Sequence, residues 1–276
     1  MEQKSGVIDI AKAFRSSNKR LFRSLPRFVI RAIEKLIRQD EMNAAIHRSS
    51  HLEGVPFLND ILEGWNVKVH LGGEKNISSS GRYIFASNHP VGGIDALSVY
   101  SIIGRFFKDV KSPSNELLYL IPNIRPVMVG INVFGKNTRE AALRLEELFE
   151  SETQIMIFPS GEVSRRVKGV ISDPVWQKTF ITKAIQHKRD IVPVHVSGRN
   201  SNLFYFVANI RKFLGIKMYV ETLLLPREMM KQRNTTVTVT IGQVIPWQTL
   251  TSEKSHSEWA RYVKESVYAL ADQTNL

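Results

Sequence analysis

Short apolar runs of two kinds alternate along most of the chain. From about residue 66, six runs rich in β-branched residues have the length of buried strands: VKVHL, RYIFAS, RPVMVGI, TQIMIF, DIVPVHV and TTVTVTI. Longer segments with helical spacing lie among them: IDALSVYSII, TREAALRLEELFES, DPVWQKTFITKAIQ, SNLFYFVANIRKFL and SEKSHSEWARYVKESVYALAD. Buried strands that alternate with helices predict an α/β fold with a largely parallel central sheet flanked by helices.

The first 55 residues have a different, basic pattern. The segment PRFVIRAIEKLIRQ, residues 26–39, places apolar residues on one helical stripe with Arg and Lys along its flank. Such a helix can lie in a lipid headgroup layer, or it can pack on the core as an ordinary surface helix. We therefore expect residues 1–55 to form a basic amphipathic, membrane-associating helical segment, and residues 56–276 to form the α/β domain.

Composition narrows the classes of partner. The chain has 276 residues and a formal net charge of +12, which favours anionic lipid or nucleic acid as a partner. Its scattered aromatic residues match no nucleic-acid-binding module, so an anionic membrane surface is the predicted partner and nucleic acid is not. No apolar run approaches the ~18 residues of a spanning helix, and the N-terminus lacks the apolar stretch of a secretory signal. We expect a peripheral protein.

The segment NHPVGGID connects a predicted strand to a predicted helix. His89 follows the strand, and Asp95 falls in the first turn of the helix. Gly92 and Gly93 between them allow a tight turn, and their backbone amides, like those of Ser160 and Gly161, are candidate donors to a developing oxyanion. A carboxylate beside a His is typical of a general base, although it is also found where Asp merely complements the helix dipole. No nucleophilic Ser or Cys in a strained turn follows, so a substrate hydroxyl would be the nucleophile.

A second loop has the same place after a strand and carries cations. The sequence IMIFPSGEVSRRVKG contains Ser160, Gly161 and Glu162, followed by Arg165 and Arg166. Turn amides and guanidinium groups suit an anionic headgroup or a carrier phosphate. A polar connection with a solvated basic face is the alternative. Arg199, in SGRNSN, is a weaker candidate for the same role.

The segment GINVFGKNT, residues 130–138, nearly matches the phosphate-binding loop of nucleotide hydrolases. Asn137 replaces the hydroxyl residue that would bind Mg²⁺, and no later strand ends in the expected Asp. We therefore expect Lys136 to approach an anionic group without nucleotide hydrolysis. The seven His show no metal-ligand spacing and the chain has no Cys, so no metal or redox cofactor is predicted.

The two strand-following loops resemble those of the lysophospholipid acyltransferases, the glycerolipid acyltransferases related to PlsC. HPVGGID stands where that family has His, a short spacer and Asp, and FPSGEVSR stands at its Phe-Pro-Glu-Gly motif. The similarity is more specific to a bacterial hemolysin-like or ornithine-lipid-type branch, where DPVWQKTFITKA and VPVHVSGRNSNLFY follow in the same order. It spans residues 55–245. This chain has five residues between His and Asp where four are usual, and Ser160 where Glu is usual.

The resemblance implies an acyltransferase of bacterial membrane lipid synthesis without a bound cofactor. His89 would deprotonate the hydroxyl of a lysolipid acceptor as it attacks an acyl thioester, Asp95 would orient His89, and no covalent acyl-enzyme would form. Acyl carrier protein or coenzyme A would carry the acyl group. Because Lys136 stands where an Arg contacts phosphate, an amino-acid lipid (lyso-ornithine or lyso-glycine lipid) is favoured as acceptor over lysophosphatidic acid. The resemblance also implies the cytoplasmic side of the inner membrane. An inactive acyltransferase-like peripheral membrane protein is the non-enzymatic alternative.

Overall fold

The computed structural model describes residues 7–15, 23–131 and 138–271. Within these residues, seven strands form one sheet in the order β1-β9-β8-β2-β5-β3-β4, and β6 and β7 form a separate hairpin. The strands are β1 (Lys68–Gly72), β2 (Tyr83–Ser87), β3 (Val110–Asn115), β4 (Met128–Ile131), β5 (Gln154–Ile157), β6 (Arg165–Val167), β7 (Val170–Ser172), β8 (Asp190–Val196) and β9 (Thr236–Ile241).

Helices precede the sheet and connect its strands. They are α1 (Ile10–Arg15), α2 (Arg27–Leu36), α3 (Gln39–Arg48), α4 (Gly54–Gly64), α5 (Gly93–Ile103), α6 (Arg139–Glu150), α7 (Thr179–Gln186), α8 (Asn202–Phe213), α9 (Leu225–Met230) and α10 (His256–Ala269). Short 3₁₀ helices cover Glu74–Asn76, Glu116–Leu120, Pro122–Val127, Val220–Leu224 and Trp247–Thr249. No helix among the described residues is long and apolar enough to cross a membrane.

The sheet is largely parallel, as predicted. The central strand β2 pairs in parallel with both β5 and β8, and β9 is parallel to β1. Within the described part of the seven-stranded sheet, only the β8–β9 pair is antiparallel. The carboxyl ends of β2, β5 and β8 therefore meet at one edge of the sheet, where ligands of such folds gather.

Apolar cores cover both faces of the central sheet. Phe85 on β2 belongs to the core that includes Phe57 of α4 and Val99 of α5. Its neighbour Ile84 belongs to the opposite core, which includes Val263 of α10. This division follows from the strand geometry, because successive side chains point to opposite faces. All five residues of β2 are buried, so the strand that leads into NHPVGGID is held firmly.

Several elements differ from the prediction. Strand β3, VKSPSN, was not expected because Ser, Pro and Asn interrupt its apolar pattern. The run RPVMVGI starts as a 3₁₀ helix and becomes strand only at Met128. The predicted helix DPVWQKTFITKAIQ begins only at Thr179, because the stretch before it is held in irregular structure by contacts to the candidate active site.

The basic N-terminal segment is partly buried. On the predicted stripe, Ile37 is buried just after α2, whereas Phe28 and Leu36 are exposed. Ile30, which the prediction did not place on the stripe, is the buried residue within α2. Ala45 and Ile46 of α3 belong to the same core cluster as the sheet. The membrane role of this segment and the domain boundary at residue 55 stay predictions.

Candidate active site

His89 and Asp95 are in direct contact at the carboxyl end of β2. His89 lies two residues beyond this strand, and its Nδ1 is 3.0 Å from Oδ2 of Asp95. Asp95 is fully buried, whereas the His89 side chain is 18% exposed. The ring therefore has Nδ1 fixed by a carboxylate within the protein, and Nε2 is the ring nitrogen that does not contact Asp95.

The turn between the two residues explains how a five-residue spacer closes this contact. Gly92 has φ +121° and ψ −125°, a conformation available only to glycine, and it precedes the first residue of α5. Asp95 then occupies the third helical position, where its Oδ2 accepts hydrogen bonds from the backbone N–H groups of Val91 and Gly92, each 2.8 Å long. The Gly92 amide is therefore engaged by Asp95, and Gly92 is unsuited to the predicted oxyanion role.

The protonation equilibrium of Asp95 reflects opposing effects. Burial raises the pKa of the Asp95 carboxyl above its ordinary value, and the hydrogen bond with His89 and the amides of Gly92 and Val91 act in the opposite direction. Oδ1 of Asp95 is buried and has no hydrogen-bond partner among the described residues. An ionised Asp95 thus has a single stabilised oxygen, the one that contacts His89.

A contact from β5 positions the other side of the His89 ring. Phe158 follows β5 and stacks on His89, with ring centroids 4.0 Å apart and an interplanar angle of 20°. The ring is therefore fixed by stacking as well as by its hydrogen bond to Asp95. The sequence alone does not single out Phe158, because its contact with His89 depends on the pairing of β2 with β5.

The backbone of His89 is held by Asp173, another residue that sequence analysis missed. Both carboxylate oxygens of Asp173 lie 3.2 Å from the His89 N–H. The same carboxylate accepts hydrogen bonds from the Ser164 hydroxyl, at 2.6 Å, and from the Trp176 indole N–H, at 3.0 Å. The Ser164 N–H in turn donates to the His89 carbonyl at 2.7 Å. Asp173 thus ties the second loop to the first.

Two asparagines join the His89 loop to β8 and the loop after it. Asn88 donates to the Val196 carbonyl and accepts from the Val196 N–H, at 2.9 and 2.7 Å. Asn200 donates to the Pro90 carbonyl at 3.1 Å. The segment that begins α8 is therefore anchored directly beside His89.

Arg165, a predicted substrate-binding residue, is engaged within the protein. Its guanidinium contacts Glu162 at 3.1 Å and the fully buried Glu221 at 3.2 Å. Glu221 also pairs with Arg211 at 2.8 Å, and the Glu162 carboxylate accepts from the Tyr219 hydroxyl at 2.9 Å. This ion-pair network engages Arg165 and Glu162 within the protein and holds the second loop. Their substrate-binding role stays a prediction.

Arg166 and Arg199 are better placed to receive an anion. The guanidinium of Arg166 lies 4.7 Å from the centroid of the Tyr205 ring and donates to Asn202 at 2.9 Å, and Arg199 is exposed. Neither forms an ion pair with a carboxylate in the part of the chain that the structure describes. Burial raises the pKa of the Tyr205 hydroxyl, and the charges of Arg166 and Arg199 oppose that rise. The charges of both cations therefore favour ionisation of the Tyr205 hydroxyl, which acts to lower its pKa.

The remaining predicted residues lie in the two turns or outside the described residues. Ser160 donates to the Glu162 carbonyl at 2.6 Å, and the Gly161 N–H donates to the Phe158 carbonyl at 2.9 Å. These bonds hold the second turn closed. Gly93 is the first residue of α5. Lys136 lies outside the described residues.

Similarity to known proteins shows the family to which the chain belongs. A model of the acyltransferase family matches residues 13–275. The chain belongs to the acyltransferase family. The predicted resemblance to lysophospholipid acyltransferases is thereby confirmed, and the protein is a transferase.

Two curated relatives of this acyltransferase cover nearly its whole length. A lyso-glycine lipid O-acyltransferase of Bacteroides thetaiotaomicron is 42% identical over 265 residues, which are 96% of this chain and 97% of the relative. A protein of the same name from Phocaeicola vulgatus is 40% identical over 265 residues, 96% of this chain and 95% of that one. The crystal structure of the 1-acyl-sn-glycerophosphate acyltransferase PlsC from Thermotoga maritima gives a TM-score of 0.44 at 14% identity, covering 88% of this chain and 92% of that one.

A possible metal-ligand cluster in this acyltransferase lies away from His89. Among the described residues, Glu146, Glu150 and His187 bring ligand-type atoms within 4.8 Å of one another. The Lys183 ammonium already donates to Glu146, and the cluster precedes β5 and β8, at the opposite edge of the sheet from His89. It therefore has no part in the candidate active site.

Proposed function

We propose that this acyltransferase moves a fatty acyl chain from a thioester donor to the hydroxyl of a lyso-glycine lipid. The observation that carries the proposal is the His89–Asp95 pair at the end of β2 in a chain that is 40–42% identical to two lyso-glycine lipid O-acyltransferases. This acceptor is an amino-acid lipid, the class favoured by the sequence over lysophosphatidic acid.

His89 is the general base of the proposed reaction. With the proton of the imidazole on Nδ1 and directed to Asp95, the Nε2 lone pair accepts the proton of the acceptor hydroxyl. The hydroxyl oxygen bonds to the thioester carbonyl carbon, and the carbonyl π electrons move to its oxygen. The C–S bond then breaks as the carbonyl re-forms, and the leaving thiolate takes the proton from Nε2. Asp95 stabilises the imidazolium between these two steps, so no acyl-enzyme is required.

Backbone amides near His89 are the proposed donors to the oxyanion. The Gly92 and Gly161 amides are engaged by Asp95 and by Phe158. The amides of Gly93, at the N-terminus of α5, and of Ser160, in the second turn, are the remaining candidates among the predicted residues. The N-terminus of a helix also favours negative charge through its dipole, and one such donor typically contributes ~10²–10³ in rate.

Arg166 and Arg199 are the proposed partners of the acceptor headgroup. A glycine headgroup ends in one carboxylate, and a guanidinium binds a carboxylate through two parallel hydrogen bonds. Arg166 lies over the ring of Tyr205, whose hydroxyl accepts from the Asn200 N–H, and Asn200 donates to the Pro90 carbonyl next to His89. A carboxylate bound at Arg166 is therefore on the side of the reacting centre. Lys136 stays a candidate for the headgroup or for the donor phosphate. The donor is acyl carrier protein or coenzyme A, and the protein acts as a peripheral protein at the cytoplasmic face of the membrane.

The decisive experiment replaces His89 by Ala and uses His51→Ala as the matched control. Each purified protein is incubated with acyl carrier protein and coenzyme A thioesters against lyso-glycine lipid, lyso-ornithine lipid and lysophosphatidic acid, with products identified by mass spectrometry. We expect acylation of lyso-glycine lipid by the wild type and by the exposed-His control, and a loss of about 10²–10⁴ in rate for His89→Ala. Equal rates for all three proteins would refute the mechanism, and acylation of lysophosphatidic acid alone would refute the acceptor.

The headgroup assignment has its own test. Arg166→Gln and Arg199→Gln are expected to raise KM for lyso-glycine lipid by about ten-fold each while kcat changes little, because a binding contact common to ground state and transition state affects KM alone. Esterification of the headgroup carboxylate should abolish the difference between wild type and variants. A fall in kcat with KM unchanged would contradict the assignment.

A further inference from the structure

Helix α8 carries apolar side chains on two opposite faces, and only one of these faces is buried against the rest of the protein. Phe204 and Tyr205 are buried in a cluster with Val163 of the second loop and Leu224 after α8, and Ala208 on the same side is also buried. On the opposite side lie five exposed apolar residues, which we call the α8 stripe: Leu203, Phe206, Ile210, Phe213 and Leu214. At 100° per residue they fall within an arc of about 100°. Phe206 is 61% exposed and Phe213 is 89% exposed, so this is a continuous apolar stripe and not a scatter of single residues.

The α8 helix is firmly held, so the exposed stripe is a rigid feature. Ser201 caps its N-terminus, and both the N–H and the hydroxyl of Ser201 donate to the buried carboxylate of Glu228, at 2.6 and 2.8 Å. Arg211, near its C-terminus, pairs with the buried Glu221 and lies over the Tyr219 ring. These contacts fix which face of α8 points outward.

The stripe begins beside the candidate active site. Leu203 follows Asn202, which accepts a hydrogen bond from Arg166, and Asn200 in the preceding loop binds the Pro90 carbonyl next to His89. A substrate with an acyl chain that reaches His89 along this side therefore passes the stripe. Such continuity places the exposed apolar surface at the edge of the site.

The unpaired charges that border the stripe are positive. Arg211 is paired with the buried Glu221, whereas Arg199, Lys212 and Lys217 form no ion pair among the described residues. Lys212 and Lys217 are exposed within and just after α8. An apolar helix face bordered by cations is the pattern of a segment that lies in the plane of an anionic lipid layer, with the apolar side chains below the headgroups and the cations at the phosphates.

We infer that the α8 stripe is the surface by which the protein inserts into an anionic lipid bilayer beside its active site. The inference rests on the proposed function in one respect, namely that the acceptor is a membrane lipid. Insertion of the stripe brings the Arg166–Arg199 side of the site to the headgroup layer, so an acceptor reaches His89 without leaving the membrane. The basic N-terminal segment, with its exposed Phe28, is a different surface and gives a different result in the test.

The absence of cysteine from the sequence allows a site-specific test. Phe213→Cys is labelled with an environment-sensitive fluorophore, and Leu143→Cys, at an exposed apolar position on α6, is the matched control. Each protein is mixed with phosphatidylcholine vesicles with and without phosphatidylglycerol, in the absence of acyl donor. We expect a blue shift and an increase in emission at position 213 with anionic vesicles, and none at position 143. Vesicle binding without a change at 213 would overturn the inference and would assign membrane contact to another surface.

A second pair of variants tests whether the stripe drives binding. Phe206→Glu combined with Phe213→Glu should lower flotation with anionic vesicles by about ten-fold or more, while Leu143→Glu leaves it unchanged. Melting temperatures of all three should agree, because each replaced side chain is exposed. Unchanged flotation of the double variant would refute bilayer insertion. A dimeric mass of the protein, with emission from the label at position 213 already blue-shifted before lipid is added, would refute it as well. Since neither assay uses a substrate, a failure of acyl transfer would count against the proposed function alone.

Discussion

Replacing Asp95 by Asn tests the electrostatic role of the buried carboxylate without changing its shape. In the wild type, one oxygen of Asp95 accepts from His89 and from the amides of Val91 and Gly92. The oxygen of an Asn at this position can keep all three hydrogen bonds. What it cannot supply is the negative charge that stabilises the His89 imidazolium of the proposed mechanism.

The size of the effect follows from the geometry. The contact oxygen is 3.0 Å from Nδ1 of His89, so the two charges are centred about 4 Å apart, where their attraction is worth about 4 kcal/mol at an effective dielectric constant of 20. Because 1.36 kcal/mol corresponds to a ten-fold change, Asp95→Asn should lower kcat by about 10³. The estimate lies within the ~10²–10⁴ expected for general acid–base catalysis.

Stability should respond differently from rate. Burial raises the pKa of Asp95, which means that the ionised carboxylate is the unfavourable form inside the fold and that a neutral amide relieves this cost. The new amide N–H group takes the place of Oδ1, which has no partner in the described residues, and an unpaired buried donor costs about 1–3 kcal/mol. We expect the two effects to offset each other, with a change in melting temperature of roughly 3 °C or less.

The assay measures kcat for lyso-glycine lipid acylation and the melting temperature by differential scanning fluorimetry. Asp60→Asn is the control, because the Asp60 carboxylate on α4 accepts a hydrogen bond from the Ser49 hydroxyl and has no contact with His89 among those described. A rate within ten-fold of the wild type would refute the electrostatic argument. A large loss of melting temperature would instead assign Asp95 a structural role.

Four further changes test the surroundings of the site and the fold. Asp173→Asn replaces one oxygen, which accepts from the His89 N–H and from either Ser164 or Trp176, by an amide N–H that cannot accept. His89 is then displaced, so kcat should fall about ten-fold with KM within two-fold; unchanged kcat would mean a purely structural role. Gly92→Ala forces a side chain into φ +121° and should cost about 1–3 kcal/mol in urea unfolding. Arg189→Met removes donors to the Leu148 and Phe149 carbonyls at the end of α6 and to the Thr153 carbonyl after it, and should cost roughly 3 kcal/mol in the same measurement. The Lys183 hydrogen bond lowers the pKa of Glu146 from 4.5, so Glu146 adds stability above that pH and loses it as pH falls. Glu146→Gln should therefore cost at most ~1 kcal/mol at pH 7, with the difference shrinking below pH 4.5.

The sequence predicted those features that depend on near neighbours. Apolar spacing located β2, β5, β8 and the helices after them, and NHPVGGID placed a His and an Asp on either side of a glycine turn. Hydrophobic periodicity and turn-forming residues depend on neighbours three to six positions away, so both can be recognised from the sequence alone. The same reasoning missed β3, where Ser and Pro interrupt the apolar pattern.

Only the tertiary structure decided which distant groups support the site. Asp173 reaches the His89 N–H from 84 positions along the chain, and Phe158 stacks on the ring because β5 pairs with β2. The fold also decided that Arg165 forms an ion pair with the buried Glu221. It likewise decided that the buried face of α8 is the one that carries Phe204. A helix that is apolar on both sides has the same sequence pattern whichever face is buried, and only packing against the rest of the chain selects between them.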